Sequence, residues 1–387
     1  MATKRDIEIA SLLFRSGIVN QEEIQGALAR QGKLLTQGQI ITLIDLLVER
    51  GLVPADAAPT FTDQPLEKLQ PLPDYELLEF VGDGASARVY RGVHRPTGRS
   101  VAVKVLHPEQ ELMHKALKRF QREAQLLCKL AHPSIVKGYE VSKVNGFRFV
   151  AMEWIDGGTV LEEVDRRGRI DGPNALHITR QIASALEYLH GNGIIHRDIK
   201  PGNVLIDERW RAKLIDLGLC LLVGQAREET EGTTVGTVGY ISPEQAKGTE
   251  VDVRSDIYSL GVTLYHMVVG EVPFSGDDDF EVMSKQIMQS LKSDRLKTLN
   301  ISPHVHYAIQ KMMAKEKEIR YQQPRDIVTD LDAYLKSTGY EAIPFARPAK
   351  ETARAESRTP SGRNAPAPRP AQMKPEAPIS KRRRRFR

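Results

Sequence analysis

Two cysteines in 387 residues are too few for a disulfide framework, so a reducing compartment, the cytosol, is the expected setting. No stretch reaches the roughly 18 apolar residues of a membrane span. The most apolar long run, Ile257–Val269, is interrupted by Ser259, Thr263 and His266 and predicts a buried core helix. Behind the charges of Met1-Ala2-Thr3-Lys4-Arg5-Asp6 there is no apolar segment, so no secretory signal is expected. Neither a glycine-proline period nor a shortage of apolar residues is present. At 41% hydrophobic residues the chain is not collagen-like, not disordered as a whole, and has enough apolar surface for a sizeable core.

The charge is unevenly placed. Residues 341–387 hold thirteen Lys/Arg against four Asp/Glu, a net of +9, so in a chain of net +5 the first 340 residues carry −4. The basic character belongs to the tail, and a nucleic-acid-binding body is not implied. That tail also holds eight of the 22 prolines and ends in Lys381-Arg382-Arg383-Arg384-Arg385-Phe386-Arg387. It buries too little to fold alone, and is expected to be a disordered Pro/Ala/Arg-rich end, either solubilising or binding an anionic surface such as lipid, nucleic acid or an acidic protein.

Three further zones precede it. Residues 1–58 carry apolar residues at helical spacing and a weak internal repeat, Leu12-Leu13 with Gly17-Ile18-Val19 against Leu46-Leu47 with Gly51-Leu52-Val53. In both halves a helix is predicted to end at a glycine able to take the left-handed conformation. Two packed helix-turn-helix units are expected, serving as an accessory or docking module; Lys and Arg do not cluster there as a DNA-reading module requires. Residues 59–74, in a stretch with prolines 54, 59, 65, 71 and 73, read as a linker. Residues 75–338 alternate strand and helix signals and carry the chemistry.

Tyr75–Val81 alternates like a strand and leads into Gly82-Asp83-Gly84. Two glycines two apart let backbone N–H groups approach phosphate oxygens with no Cβ in the way, although turns use such pairs constantly. The next strand, Val101-Ala102-Val103-Lys104-Val105, places a lysine among apolar neighbours. Burying that ammonium is costly without an anionic partner. The following helical pattern, Lys118–Leu130, sets Phe120, Ala124, Leu127 and Cys128 on one face with Glu123 at its edge, a carboxylate able to pair with Lys104. Cys128 and Cys220 read as buried packing residues.

Two polar loops between apolar strands are the most informative part. The first is Ile194-Ile195-His196-Arg197-Asp198-Ile199-Lys200-Pro201-Gly202-Asn203; the second contains Lys213-Leu214-Ile215-Asp216-Leu217-Gly218. Asp198 and Asn203 close one short loop and Asp216 follows a second strand. Carboxylate and amide oxygens are hard ligands suited to Mg²⁺, whose shell phosphate oxygens complete.

In order along the chain, the Gly82/Gly84 loop, Lys104, Glu123, His196-Arg197-Asp198, Lys200, Asn203, Asp216-Leu217-Gly218, Gly236-Thr237, Tyr240, Ser242-Pro243-Glu244, Asp256 and Arg320 resemble the eukaryotic-like (Hanks-type) serine/threonine protein kinases, and among them the bacterial members. The likeness covers about residues 75–338, roughly two-thirds of the chain. It implies an α+β, bilobal protein kinase fold with a small β-rich lobe and a large helical lobe. It also implies transfer of the γ-phosphoryl group of ATP to protein Ser/Thr hydroxyls, with Mg²⁺, or Mn²⁺ in its place, as cofactor.

The resemblance implies roles residue by residue. Lys104 would hold the α- and β-phosphates and pair with Glu123. Asp198 would accept or orient the substrate proton, and Lys200 would steady the γ-phosphate. Asn203 and Asp216 would hold the metal. Val81, Gly82 and Gly84 would cover the nucleotide, backbone groups of Glu153 and Ile155 would meet adenine, and Val89, Ala102 and Leu205 would sandwich its ring. His196 would be structural, binding backbone near Asp216. Glu244 and Arg320 would form a buried ion pair, and Asp256 would anchor the catalytic loop. Arg197 would face a phosphate on the segment Leu217–Ser242, with Thr230, Thr233 and Thr234 as autophosphorylation candidates and self-association as the route in trans; Thr237 would be a structural contact.

The sequence departs from the pattern at Ser86, Ala87, Leu217 and Ser242, none of which removes a charged group the transfer needs. The alternatives are a nucleotide-binding pseudokinase scaffold acting through the helical module and tail, and a small-molecule phosphotransferase of related fold. Many bacterial relatives follow the kinase with a membrane span and sensor. This sequence has neither pattern, so a cytoplasmic kinase acting in signal transduction is expected.

Overall fold

The computed structural model describes residues 10, 13, 19–36, 41–53, 72–84, 86–107, 110–111, 113–144, 146–222, 238–292, 294–343 and 345. Thr230, Thr233, Thr234, Gly236 and Thr237, most of the expected linker and nearly all of the expected tail lie outside them.

The N-terminal module contains α1 (Gln21–Thr36) and α2 (Leu43–Glu49). Both start at side-chain caps: Asn20 and Glu23 bond reciprocally, as do Thr42 and Asp45. Leu13, Ala27, Leu43, Ile44, Leu46 and Leu47 form a core of their own. After α2, Gly51 takes φ 68°, the left-handed cap expected there. The Val53 N–H then reaches back to Leu47 O at 3.4 Å, and Val19 N–H reaches Leu13 O at the same distance and spacing. The repeat seen in the sequence therefore recurs as a hydrogen bond; Gly17 itself lies outside the described residues.

The small lobe is a five-stranded antiparallel sheet of order β1-β2-β3-β5-β4, made of β1 (Tyr75–Asp83), β2 (Ala87–His94), β3 (Arg99–Leu106), β4 (Gly138–Val144) and β5 (Phe147–Glu153). One face is closed by Tyr75, Tyr90, Val101, Val103, Val105 and Phe149. The other receives α3 (His114–Lys129), which buries Phe120, Glu123, Ala124 and Leu127. Cys128, expected within that face, is only partly buried because it sits at the helix edge beside β4. Gly138 makes the close approach possible: a Cβ there would stand 2.7 Å from Cys128 N.

The large lobe follows through β6 (Gly157–Thr159), α4 (Val160–Arg167) and α5 (Gly172–Gly191). Next come β7 (Ile194–Ile195), a 3₁₀ turn at Pro201–Asn203, β8 (Val204–Asp207), β9 (Ala212–Leu214) and β10 (Leu221–Leu222). β6, β8 and β9 make one small sheet, and β10 pairs with β7. Beyond a 3₁₀ turn at Val238–Tyr240 lie α6 (Pro243–Ala246), α7 (Val253–Val269), α8 (Asp279–Met288), α9 (Asp294–Thr298), α10 (Pro303–Met312) and α11 (Pro324–Ser337).

α7 is buried on nearly every face, the buried core helix its largely apolar run predicts, with Ser259, Thr263 and His266 buried among the apolar residues. Its Gly261 admits the end of α10, where an added Cβ would come within 2.7 Å of Met312 Cβ. The main core runs from Ala102, Leu127 and Met152 of the small lobe through Leu217 into the large lobe. Beyond α11, Trp210 Nε1 donates to Ile343 O at 3.0 Å and Phe345 packs on the Trp210 ring at 4.4 Å, so part of the segment expected as tail is packed on the large lobe. Among the described residues no helix is long and apolar enough to cross a membrane.

Candidate active site

The site is built around two carboxylates and one ammonium taken out of water. β3 carries Lys104 and α3 carries Glu123, and their charged atoms meet at 2.5 Å with both side chains largely buried. Burial alone would lower the Lys104 pKa; the charges of Glu123 and Asp216 outweigh it and hold the amine above its ordinary value. Asp216 responds in kind. Burial pushes it up, but Lys104 and the Gly218 N–H, which donates to Asp216 Oδ1 at 2.8 Å, bring it below the ordinary range. Glu123, Lys104 and Asp216 thus form one cluster at the junction of the sheet, α3 and the Asp216 loop. Gly218 suits that packing, since a Cβ would lie 3.0 Å from Asp216 Oδ1 and 3.4 Å from Glu123 Oε2 and would crowd both carboxylates.

The second half of the site is the loop between β7 and β8. Asp198 is buried, and Lys200 Nζ donates to both its carboxylate oxygens at 3.1 and 2.8 Å. Asn203 Nδ2 donates to Asp198 O and Oδ2 at 2.9 and 2.8 Å, which leaves Asn203 Oδ1 as the oxygen available to a cation. The Ile215 N–H binds Asn203 O at 3.1 Å and so ties the strand leading to Asp216 against the same loop. Asn203 and Asp216 are one amide and one carboxylate. Among the described residues no group of three or more His, Cys, Asp and Glu could hold a metal. A sparse hard-oxygen pair of this kind suits Mg²⁺ shared with phosphate and water rather than a protein-only cage.

The loop's shape is imposed from α7. The Asp256 carboxylate accepts the His196 N–H at 2.8 Å and the Arg197 N–H at 2.7 Å. Two consecutive N–H groups converge on one anion only when the chain turns sharply, and Arg197 takes φ 70°, the left-handed region that costs a non-glycine residue about 1–3 kcal/mol. The anchoring expected of Asp256 is present, with burial pushing its carboxyl up against those N–H bonds. Gln245 of α6 adds a second hold by donating to Arg197 O at 3.0 Å. His196 differs from expectation. Its Nδ1 accepts the Asp198 N–H at 3.3 Å, so the backbone it holds is that of its own loop, while its Nε2 is buried without a partner among the described residues.

The glycine-bearing turn and the hinge frame the opening. Gly84 donates to Ala87 O at 3.0 Å, and the space beside Gly82 is open. Val81 is exposed, Val89 is half-buried against the interlobe core, Ala102 is buried, and Leu205 is half-buried on β8. Glu153 spends its N–H on Lys137 O at 2.8 Å and its carboxylate on Lys213 at 2.9 Å. Its neighbour Ile155 has no hydrogen bond to its N–H among the described residues. The ion pair expected between Glu244 and Arg320 is present and bidentate, at 2.7 and 3.0 Å.

Sequence reasoning did not single out Lys137, Lys213, Gln245 or Arg122. The first three act through contacts distant in sequence, which local patterning does not show. Arg122, one residue before Glu123 on α3, has its Nη2 buried without a partner among the described residues and lies close enough to Cys220 to oppose the rise that burial gives that thiol.

A lysine-carboxylate pair facing a carboxylate-amide loop across two lobes is the layout of a nucleotide-dependent phosphotransferase. The profile of the protein kinase domain family matches residues 75–329, and the chain belongs to that family, among its bacterial Hanks-type serine/threonine members. It is 33% identical over 257 residues to the serine/threonine-protein kinase PrkC of Bacillus subtilis, covering 66% of this chain and 40% of that one. It is 35% identical over 262 residues to the serine/threonine-protein kinase PknB of Mycobacterium leprae, covering 66% and 42%. It is 34% identical over 263 residues to PknB of Mycobacterium tuberculosis, with the same coverage, 66% and 42%. The chain thus spans 38 to 45% of the length of the curated relatives it matches.

Proposed function

We propose that this chain is an ATP-dependent protein serine/threonine kinase. The observation that carries the reading is the pairing of Lys104 with Glu123 beside Asp216, in the same structure in which Lys200 and Asn203 converge on Asp198. Lys104 is positioned to neutralise nucleotide phosphates, and Glu123 keeps it from swinging away. Asn203 Oδ1 and the Asp216 carboxylate are the oxygens that would hold Mg²⁺, which when bound neutralises charge on the phosphates. Val81, Gly82 and Gly84 would cover the nucleotide, with adenine between Val89, Ala102 and Leu205. The Glu153 N–H is already engaged, so its carbonyl and the Ile155 N–H are the hinge groups left for the base.

Transfer of this kind needs alignment and charge more than covalent help from the protein. The Asp198 carboxylate takes the proton of the substrate Ser/Thr hydroxyl as its oxygen bonds to the γ-phosphorus, the bond from that phosphorus to the β,γ-bridging oxygen breaks, and ADP leaves. Lys200 holds Asp198 in place and faces the moving charge. Nothing in the site favours the pseudokinase reading, since every charged group the transfer needs is present and paired.

Autophosphorylation at Thr230, Thr233 or Thr234, through self-association in trans, completes the proposal. Arg197 lies next to Asp198, and Arg122 on α3 adds a guanidinium whose buried Nη2 has no partner among the described residues. The basic tail is assigned to an anionic surface on its charge alone. The test is transfer of labelled γ-phosphate from Mg-ATP to the purified chain and to a generic basic protein, beside Asp198→Asn. Label in wild type only supports the reading; none in wild type, with ATP bound and the activation segment already phosphorylated by another kinase, refutes it.

A further inference from the structure

His107 follows β3 directly, three residues after Lys104, and none of the roles above uses it. Its ring is buried, 8% exposed, with Nε2 lying 2.9 Å from Gly84 O and 3.0 Å from Asp83 Oδ1. Both neighbours are acceptors, so Nε2 is the nitrogen that carries the hydrogen. The His107 main-chain N–H donates to Ser86 O at 2.9 Å, so backbone and side chain of one residue hold both sides of the glycine-bearing turn. The other Asp83 oxygen is bonded by Arg88 Nε at 3.3 Å, and Gly84 N–H closes on Ala87 O at 3.0 Å.

A turn with two glycines loses more backbone freedom on ordering than any other, and a nucleotide that must order it binds more weakly by that amount. Resting on the kinase reading, we infer that His107 is a positioning residue that latches the Gly82–Gly84 turn in its nucleotide-covering shape through the Gly84 carbonyl and the Asp83 carboxylate. Ser86 and Ala87 stand where the family pattern has an apolar or aromatic tip and a third glycine; with less side chain at the tip to hold the turn down, this chain holds it from the end of β3.

The experiment compares wild type, His107→Leu, His107→Gln, Asp83→Ala and the His107→Leu/Asp83→Ala double variant. It measures KM for ATP and kcat on a generic basic protein, equilibrium binding of ATP, and amide exchange at residues 84–88. His107→Leu is expected to raise KM and the ATP dissociation constant about tenfold, the scale of losing a hydrogen bond to a charged or carbonyl acceptor, while kcat stays within about twofold. His107→Gln, which keeps an N–H donor, recovers most of the affinity. Asp83→Ala gives a smaller rise, and the double variant is less than additive. Faster exchange confined to 84–88 accompanies the loss. A KM within about twofold of wild type in His107→Leu, no rescue by Gln, additivity in the double variant, or exchange raised across the whole sheet overturns the inference. Should His107→Leu not fold, the Gln and Asp83→Ala comparisons decide it. A wild type that neither binds ATP nor transfers phosphate overturns the kinase reading instead.

Discussion

Arg320 is the residue whose loss should be felt most widely. Its side chain is fully buried. All five of its N–H groups are used: Nε on Ala314 O at 2.7 Å, Nη1 on Glu244 Oε1 at 2.7 Å and Arg254 O at 2.9 Å, Nη2 on Glu244 Oε2 at 3.0 Å and Lys315 O at 3.0 Å. Ser255 Oγ adds a bond to Glu244 Oε1 at 2.6 Å. Burial pushes the Glu244 carboxyl up, but Arg320 and Ser255 outweigh it and the carboxyl lies below its ordinary range. Replacing Arg320 by Met leaves a buried carboxylate with Ser255 as its remaining side-chain partner, and breaking such a pair costs about 3–5 kcal/mol. For a domain of this size that lowers Tm by about 10 °C. Lys is no substitute, since an ammonium has three donors for five acceptors and strands at least two of them, at about 1–3 kcal/mol each. Urea unfolding followed by fluorescence measures both. The sign of the pH dependence is a sharper check. In wild type the depressed Glu244 pKa gives stability that is present above the unfolded value and lost as pH falls through the folded one. In Arg320→Met burial raises that pKa, so neutralisation relieves the variant and its deficit at pH 5 is smaller than at pH 7.5. An Arg320→Met cost under about 1 kcal/mol, a wild-type-like Arg320→Lys, or a deficit that grows on acidification refutes the argument.

Other perturbations follow from the same structure. Asp256→Asn leaves one oxygen for the two N–H groups of His196 and Arg197, so the left-handed turn at Arg197 loosens; phosphate transfer should fall about a hundredfold with KM for ATP little changed, read by steady-state kinetics. Lys315, half-buried against the Tyr258 and Phe274 rings, has its pKa pushed down by desolvation from 10.5 to about 8. Between those values the unfolded chain binds a proton that the folded one does not, so stability should rise with pH from about 8 toward 10, and Lys315→Met should flatten that rise in thermal melts. Gly157→Ala would place a Cβ 2.1 Å from Ile206 O and force β6 off β8 beside the hinge; a loss above about 2 kcal/mol and weaker nucleotide binding are expected by calorimetry.

What was legible in the sequence shares one property: the chemistry is local in the chain. Asp198 and Asn203 lie in one loop, Lys104 interrupts an apolar strand, and the capping glycine Gly51 follows the apolar helix it ends. The bonds that give these residues their geometry are long-range. Asp256 reaches His196, and Lys213 reaches the Glu153 carboxylate, each across 60 residues. Periodicity and propensity carry no information about such meetings; the resemblance to a family supplied Asp256 and the Glu244–Arg320 pair, and nothing supplied Lys213. His196 shows the limit from the other side, since its type and place were foreseen but the backbone it holds was not. A histidine in a buried turn has several main-chain groups in reach, and packing alone decides among them.

Ser242 shows how a departure from a pattern acquires a physical reason. Read along the chain it is a substitution before Pro243-Glu244 that removes nothing the transfer needs. In the fold it caps α6: its Oγ accepts the Gln245 N–H at 3.3 Å and donates to Gln245 Oε1 at 3.0 Å. An alanine could do neither. With Oε1 engaged, the Gln245 amide is oriented so that Nε2 faces the loop between β7 and β8, where it bonds Arg197 O at 3.0 Å. Arg197 is thereby held at both ends of its peptide unit, its N–H by Asp256 and its carbonyl by Gln245, with Asp198 as the next residue. The serine acts through a glutamine and an arginine backbone on the position of the Asp198 carboxylate. Ser242→Ala removes one of the two bonds on Gln245 Oε1 and leaves the other, from the residue 242 N–H at 3.1 Å, so it loosens the hold on the Arg197–Asp198 turn as well as the helix cap without releasing either.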